Sequence, residues 1–167
     1  MSARPRPMFT GISEIVLVVR DLDEAMKRQW EMFGIGPWDI WTFDESTVAD
    51  MVVHDRPCPF SVRVAYTAIG STHWELIQPL DTHSTYYEHL LRHGEGVHNI
   101  VFSVDDFDET AAAMRALGIG TRNSGNWKGT RFLNFDSASA LGAVAEIFDT
   151  ADGAGFPAPE RTYPPTA

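Results

Sequence analysis

The sequence predicts an α+β fold: two tandem βαβββ modules forming a curved sheet around a central cavity. Three observations carry this. The first is an internal repeat. Glu14-Ile15-Val16-Leu17-Val18-Val19-Arg20-Asp21-Leu22-Asp23-Glu24 returns as Asn99-Ile100-Val101-Phe102-Ser103-Val104-Asp105-Asp106-Phe107-Asp108-Glu109, and both copies continue through a helical pattern to a Gly-Ile-Gly, at Gly34–Gly36 and Gly118–Gly120. A repeat constrains architecture before any propensity argument, and two copies are too few for a solenoid, so they pair into one pseudo-symmetric body. The second is the count of elements: each copy has one helix and several short strand patterns, a proportion that suits a curved sheet. The third is negative. No Gly-x-Gly-x-x-Gly follows a strand and no Gly-Lys-Ser/Thr loop occurs, which leaves nucleotide-phosphate sites without support.

The elements follow in order. Residues 12–19 are apolar and β-branched and bounded by turn residues, the pattern of a largely buried strand. Asp21 and Asp23 open a helix, because their side-chain oxygens cap free N–H groups at its positive end. That helix runs to about Phe33 and stops at Gly34-Ile35-Gly36-Pro37, where glycine relaxes the backbone and proline cannot continue it. Strands are expected at 38–44, 60–68 and 72–79, with 45–59 a loop holding a short strand at 51–54. A linking helix spans Asp81 to Gly94, capped near Thr82–Ser84. The second copy then repeats the order: strand 97–104, helix 106–117, and strands near 119–123, 130–135 and 143–149. The domain organisation expected is an N-terminal arm (1–9), a first module (10–80), the linking helix (81–96), a second module (97–150) and a proline-rich tail (151–167).

Composition narrows the function classes. The chain has 167 residues, 44% hydrophobic and 22% charged, ordinary for a globular protein large enough to bury a core. Its net charge of −10 argues against nucleic acid and anionic membranes as partners, since both select a basic patch. The single Cys58 excludes an internal disulfide and a Cys-rich zinc site. Met1–Met8 has no apolar core of a secretory signal, and no apolar run approaches the roughly 20 residues of a membrane span, so the cytoplasm is the expected compartment. A small molecule is the expected partner. A homodimer is also expected, because an open sheet would otherwise expose apolar edges.

Superposing the two copies points to chemistry. Glu14 and Asn99 occupy the entry of each first strand, and Glu75 and Glu146 occupy each last strand. Four polar side chains thus interrupt four apolar strands in symmetry-related pairs. A carboxylate on a buried strand costs several kcal/mol unless it is paired, protonated or bound to a cation. The alternative is that each points to the solvent side of a half-exposed strand.

The βαβββ repeat, Val19-Arg20-Asp21-Leu22-Asp23, Glu75-Leu76-Ile77-Gln78-Pro79-Leu80, and above all His93-Gly94-Glu95-Gly96-Val97-His98-Asn99-Ile100-Val101-Phe102-Ser103-Val104-Asp105-Asp106 resemble the vicinal oxygen chelate superfamily. This is the fold of glyoxalase I, bleomycin-resistance proteins and extradiol dioxygenases, and the branch most resembled is methylmalonyl-CoA epimerase. The resemblance spans about residues 10–150. It implies one metal ligand on each of four strands, at Glu14, Glu75, Asn99 and Glu146. The family has His or Gln where Glu14 stands and His where Asn99 stands, so this set departs from it by containing no imidazole. His98 aligns with a neighbouring family His rather than with a ligand, and strand alternation directs it away from Asn99, as a packed or hydrogen-bonded histidine.

Two outcomes of that departure stay open. Carboxylate and amide oxygens favour hard cations over the metals imidazole selects, so a divalent cation (Mn, Mg or Co) is one expectation. The other is a metal-free site, in which three crowded carboxyls repel one another and at least one pKa rises toward the range of a general acid or base. His73, two residues before Glu75 and on the same strand face, is a candidate proton shuttle, or else lies at the strand's solvent end. Trp38, Trp41, Trp74 and Trp127 near strand ends are candidate pocket walls, with Trp30 assigned to the core. Lys128 and Arg131 are the candidate contacts for a carboxylate or phosphate at the mouth, or else belong to a solvated hairpin.

The leading functional expectation is an isomerase, epimerase or lyase that takes a proton from a carbon next to a carbonyl, on a bulky apolar or aromatic molecule. Glu146 and Glu75 act from opposite sides, assisted by His73, and a metal or hydrogen bonds stabilise the enolate. The alternatives are a non-catalytic protein that sequesters an aromatic compound, and a metal-dependent enzyme like methylmalonyl-CoA epimerase. An iron dioxygenase is disfavoured because the four positions offer no His for a two-His-one-carboxylate site.

Overall fold

The two repeated segments lie side by side. In the computed structural model, which describes residues 7–165, β1 (Gly11–Val18) and β7 (Gly96–Ser103) form an antiparallel pair at the centre of an 11-stranded sheet. Val16, Val18 and Val101 on this seam are fully buried, so the apolar, β-branched character of both copies is used where the copies meet. The two modules therefore pair within one chain.

Each copy builds outward in the same order. β1 is followed by α1 (Leu22–Phe33), β2 (Trp38–Phe43), β5 (Val62–Ile69) and β6 (Thr72–Pro79); β7 is followed by α3 (Phe107–Ala116), β8 (Thr121–Trp127), β9 (Thr130–Phe135) and β10 (Val144–Thr150). The strand order β2-β5-β6-β1-β7-β10-β9-β8 reads the same from either end under the exchange of copies. Both helices start on equivalent aspartates: Asp21 accepts from the Glu24 N–H at 3.0 Å and Asp106 from the Glu109 N–H at 2.7 Å. α1 buries Leu22 and Met26 against Trp38, Ile40 and Leu76 on the outer face. α3 buries Met114 near Phe135, Ala145 and Ile147. The inner face carries a separate apolar layer, including Val16, Val64, Ile77, Val101 and Phe132. α2 (Thr85–His93) joins the copies, with Ser84 capping the Tyr87 N–H at 3.1 Å. Among the described residues no helix is long and apolar enough to cross a membrane.

Four segments depart from expectation. Residues 45–59, read as a loop with a short strand at 51–54, contain β3 (Val48–Val53) and β4 (Arg56–Pro57); β3 pairs with β4 and, across the copies, with β8. The strand expected at 119–123 extends to Trp127. The tail, which has no periodicity to read, ends in β11 (Arg161–Tyr163) on β2, and a short helix α4 (Ala138–Leu141) precedes β10. The N-terminal arm, residues 1–9, falls largely outside the described residues. The sheet terminates in the short strands β4 and β11. Trp30 is 36% exposed rather than core.

Close packing of the crossed-over strand gives a test. A Cβ on Gly125 would stand 2.7 Å from Val48 Cγ1 and 2.8 Å from Phe132 Cζ. Gly125→Ala overpacks the β3–β8–β9 contact and is expected to cost about 1–3 kcal/mol; a thermal unfolding midpoint unchanged from wild type would contradict that packing.

Candidate active site

The strand register carries the four polar side chains of the repeat onto adjacent strands. Glu75 on β6, Val16 on β1, Asn99 on β7 and Val144 on β10 form one cross-strand row. One step along lie His73, Glu14, Val101, Glu146 and Asn134. Residues two apart share a face, so the polar set is directed to the inner face, between the copies. Glu14, Glu75 and Glu146 all line a cavity of about 70 Å³ there, room for roughly five waters at about 10–15 Å³ each.

The hydrogen bonds on this floor are specific. The Tyr66 hydroxyl donates to Glu14 Oε1 at 3.0 Å. Asn99 Nδ2 donates to Glu146 Oε2 at 2.6 Å, while its Oδ1 accepts from His98 Nδ1 at 2.6 Å. Side chains of consecutive strand residues ordinarily diverge. Here the register slips between Val16 and Leu17, making His98 the extra residue of a β-bulge. His98 therefore does not turn away from Asn99 as alternation predicts. It lies buried beneath α2, with its ring 4.7 Å from Tyr86 and 5.3 Å from His89, and burial holds its pKa down at about 3. A neutral His98 donating from Nδ1 orients the Asn99 amide with its nitrogen toward Glu146.

Electrostatics on the floor run in one direction. Burial pushes Glu14 up to about 7, with the Tyr66 hydrogen bond opposing. Burial and then the charge of Glu14 push Glu146 up to about 8, partly offset by the amides of Asn134 and Asn99. Glu75 is raised well above the usual carboxylate range, first by burial and then by the charges of Glu14 and Glu146. Among the described residues lining the cavity there is no Lys, Arg or His to compensate.

As arranged, these residues do not fit a resident metal. Asn99 presents an N–H donor rather than an oxygen to the site, and among the described residues no three His, Cys, Asp or Glu side chains converge as a cation requires. The arrangement suits proton transfer among carboxyls of raised pKa.

The remaining candidates divide. Trp41 and Trp127 line the cavity, their rings 5.6 Å apart. Trp38 and Trp74 do not: both belong to the outer layer against α1, and Trp74 Nε1 donates to Gln29 Oε1 at 3.0 Å. Alternation accounts for both, since Trp74 adjoins Glu75 and Trp38 is an odd number of residues from Trp41. His73 stacks on Tyr66 with ring centres 4.7 Å apart, beside the cavity rather than in its lining. Arg131 bonds Asp108 at 3.0 Å and Asp149 at 2.8 Å and stands 4.4 Å over the Phe107 ring. It is on the outer face, and Lys128 is exposed in the β8–β9 turn; neither reaches the cavity. Sequence reasoning missed Tyr66, which the alternation Val62-Val64-Tyr66 would have placed on the inner face, and Phe156, for which the sequence holds no signal.

Comparison with known proteins agrees with this architecture. The family model described as the glyoxalase/bleomycin resistance protein/dioxygenase superfamily matches residues 14–132. No curated protein matches the chain in sequence. Among solved structures, methylmalonyl-CoA epimerase from Mycobacterium tuberculosis is 19% identical, with a TM-score of 0.66 over 89% of this chain and 93% of that one. A variant methylmalonyl-CoA epimerase from Streptomyces coelicolor, in complex with 2-nitronate-propionyl-CoA, is 21% identical, with a TM-score of 0.63 over 86% and 99%. A hypothetical protein from Bacillus halodurans is 18% identical, with a TM-score of 0.62 over 87% and 97%. At these identities the likeness is one of fold.

The raised carboxyls set a pH dependence. From the ordinary Glu value near 4.5 up to about 7 for Glu14 and about 8 for Glu146, the unfolded chain releases protons that the folded chain still holds. Folding stability therefore falls as pH rises through this window, and the full cost is present above it. Wild type is expected to lose about 1–3 kcal/mol more than Glu146→Gln between about pH 5 and about pH 9. Equal losses in denaturant titrations of the two proteins would refute the assignment of a raised pKa to Glu146.

Proposed function

The chain belongs to the glyoxalase/bleomycin resistance protein/dioxygenase superfamily, and we propose that within it the protein is an isomerase or epimerase, or a lyase, that removes a proton from a carbon beside a carbonyl. The observation that carries this reading is the carboxyl set on one floor, Glu75 and Glu146 with Glu14 between them, under an aromatic wall. β6 and β10 are three strand spacings apart, an arc of roughly 14 Å. Inward-directed side chains on a curved sheet narrow that span, so a bound carbon has one carboxyl on either side.

The roles divide by environment. Glu146, whose Oε2 accepts from Asn99, takes the proton as general base. Glu75, kept neutral by burial and by its neighbours' charge, returns a proton from the opposite side. After one turnover Glu146 is protonated and Glu75 ionised, and solvent exchange resets the pair. Tyr66 keeps its hydroxyl proton, because burial and Glu14 push its pKa far up, and it holds Glu14 in place.

A second reading is favoured by the wall itself. Trp41, Phe43, Phe60, Trp127 and Phe132 also suit a protein that binds an aromatic compound without transforming it.

Glu146→Gln is expected to lower α-proton exchange with deuterated solvent by about 10²–10⁴-fold while ligand binding and circular dichroism stay at wild-type levels. The wild-type exchange rate should rise with pH through about 8 as Glu146 ionises. Exchange retained in Glu146→Gln sinks the assignment; binding without any exchange in wild type favours sequestration.

A further inference from the structure

The segment after β10 crosses the cavity's outer end. Phe156 lines the cavity, and its ring stands edge-on to Trp127 at 5.3 Å, Tyr66 at 5.7 Å and Trp41 at 5.9 Å. Trp41 Nε1 donates to the Pro157 carbonyl at 3.1 Å. Glu160 accepts from the Thr42 N–H at 2.8 Å and from the Thr42 hydroxyl at 3.0 Å, and its own N–H donates to the Ile40 carbonyl. β11 then pairs with β2, and Arg161 bonds Asp23. The strap is thus fastened along β2, and its Phe156 ring contributes to the wall.

Charge points the same way as shape. Three carboxyls line the floor, and the lining has no cation among the described residues. The arginines around the cavity each face a carboxylate: Arg131 pairs with Asp108 and Asp149, Arg63 with Asp23, and Arg122 with Asp136 at 3.6 Å. An anionic group buried beside the carboxyls meets no cation in the lining to pair with, which disfavours its entry.

We propose that the cavity accepts compact aromatic or alicyclic carbonyl compounds that carry no negative charge, and that the strap, closing over them through Phe156, excludes CoA thioesters and other phosphorylated molecules. The proposal rests on the proton-transfer reading for the reaction but concerns which molecule enters. It separates this chain from the neighbours of like fold whose names specify a CoA ester.

Two ketones that differ only in a methyl or a carboxylate test it: 4-phenylbutan-2-one and 2-oxo-4-phenylbutanoate, with methylmalonyl-CoA as a third probe. Binding to the full chain is read by quenching of tryptophan fluorescence. The neutral ketone should bind, and the oxo acid should bind at least about a hundredfold more weakly, as an unpaired buried charge requires. Methylmalonyl-CoA should show no saturable quenching. Phe156→Ala should weaken the neutral ketone about five- to tenfold. Glu160→Ala, which loosens the strap without touching the cavity lining, should weaken it in the same direction. No binding of the neutral ketone, equal or tighter binding of either anion, or strap variants that bind like wild type would overturn the proposal. Loss of α-proton exchange with the binding preference intact would overturn the proton-transfer reading only.

Discussion

The pairing of β1 with β7, and the register slips within it, decide where every polar side chain of the cavity stands. Val16 and Val101, both fully buried, are the shared members of the two rows that carry Glu75 with Asn99 and Glu14 with Glu146. A slip of one residue at this seam would turn the polar set onto the outer face under the helices. Local choices agree with that register: equivalent aspartates start α1 and α3, and equivalent apolar faces cover the outside. The inner face can then hold an energetically costly set of groups because the rest of the chain is consistent.

That cost has a use. Three carboxyls crowded in one cavity, whose lining holds no cation among the described residues, raise one another's affinity for protons, and the same repulsion that weakens the fold at high pH leaves an acid and a base in one cavity near neutrality. The asymmetry between them comes from their hydrogen bonds. Glu146 receives the Asn99 amide, and that amide is oriented by a histidine that burial keeps neutral. His98 is thus a positioning residue, reaching its place through a bulge.

The central architecture was legible in the sequence because it is repeated, and repetition is readable without knowing any contact. The same alignment picked out Glu14, Glu75, Asn99 and Glu146. What escaped depends on pairing between distant segments. β3 carries Asp50, with φ of 55°, inside the strand, and His54 and Asp55 at φ 50° and 59° just after it, so the pattern announces only a short strand at 51–54; its start at Val48 depends on pairing with β8 of the other copy. β11 is three residues of tail without a pattern until β2 is beside it. Trp38 and Trp74 have a simpler cause: both stand near strand ends, as a pocket wall would, but alternation puts them on the outer face. The orientation of Arg131 likewise follows from Asp108 and Asp149, which only the folded chain brings together.

The crossing of β3 onto β8 and of β11 onto β2 also governs how the protein behaves at concentration. Each outermost strand of the sheet is too short to serve as a template for another chain. β4 is two residues, Arg56 and Pro57, and β11 is three, followed by Pro164. Proline offers no N–H and arginine carries charge, both of which discourage strand addition. A sheet of eleven strands with long bare margins would invite edge-to-edge growth into aggregates. Here the strap that brings Phe156 to the cavity wall runs on into β11 and blunts the β2 margin, so a change that unfastens it exposes a binding site and an aggregation surface together.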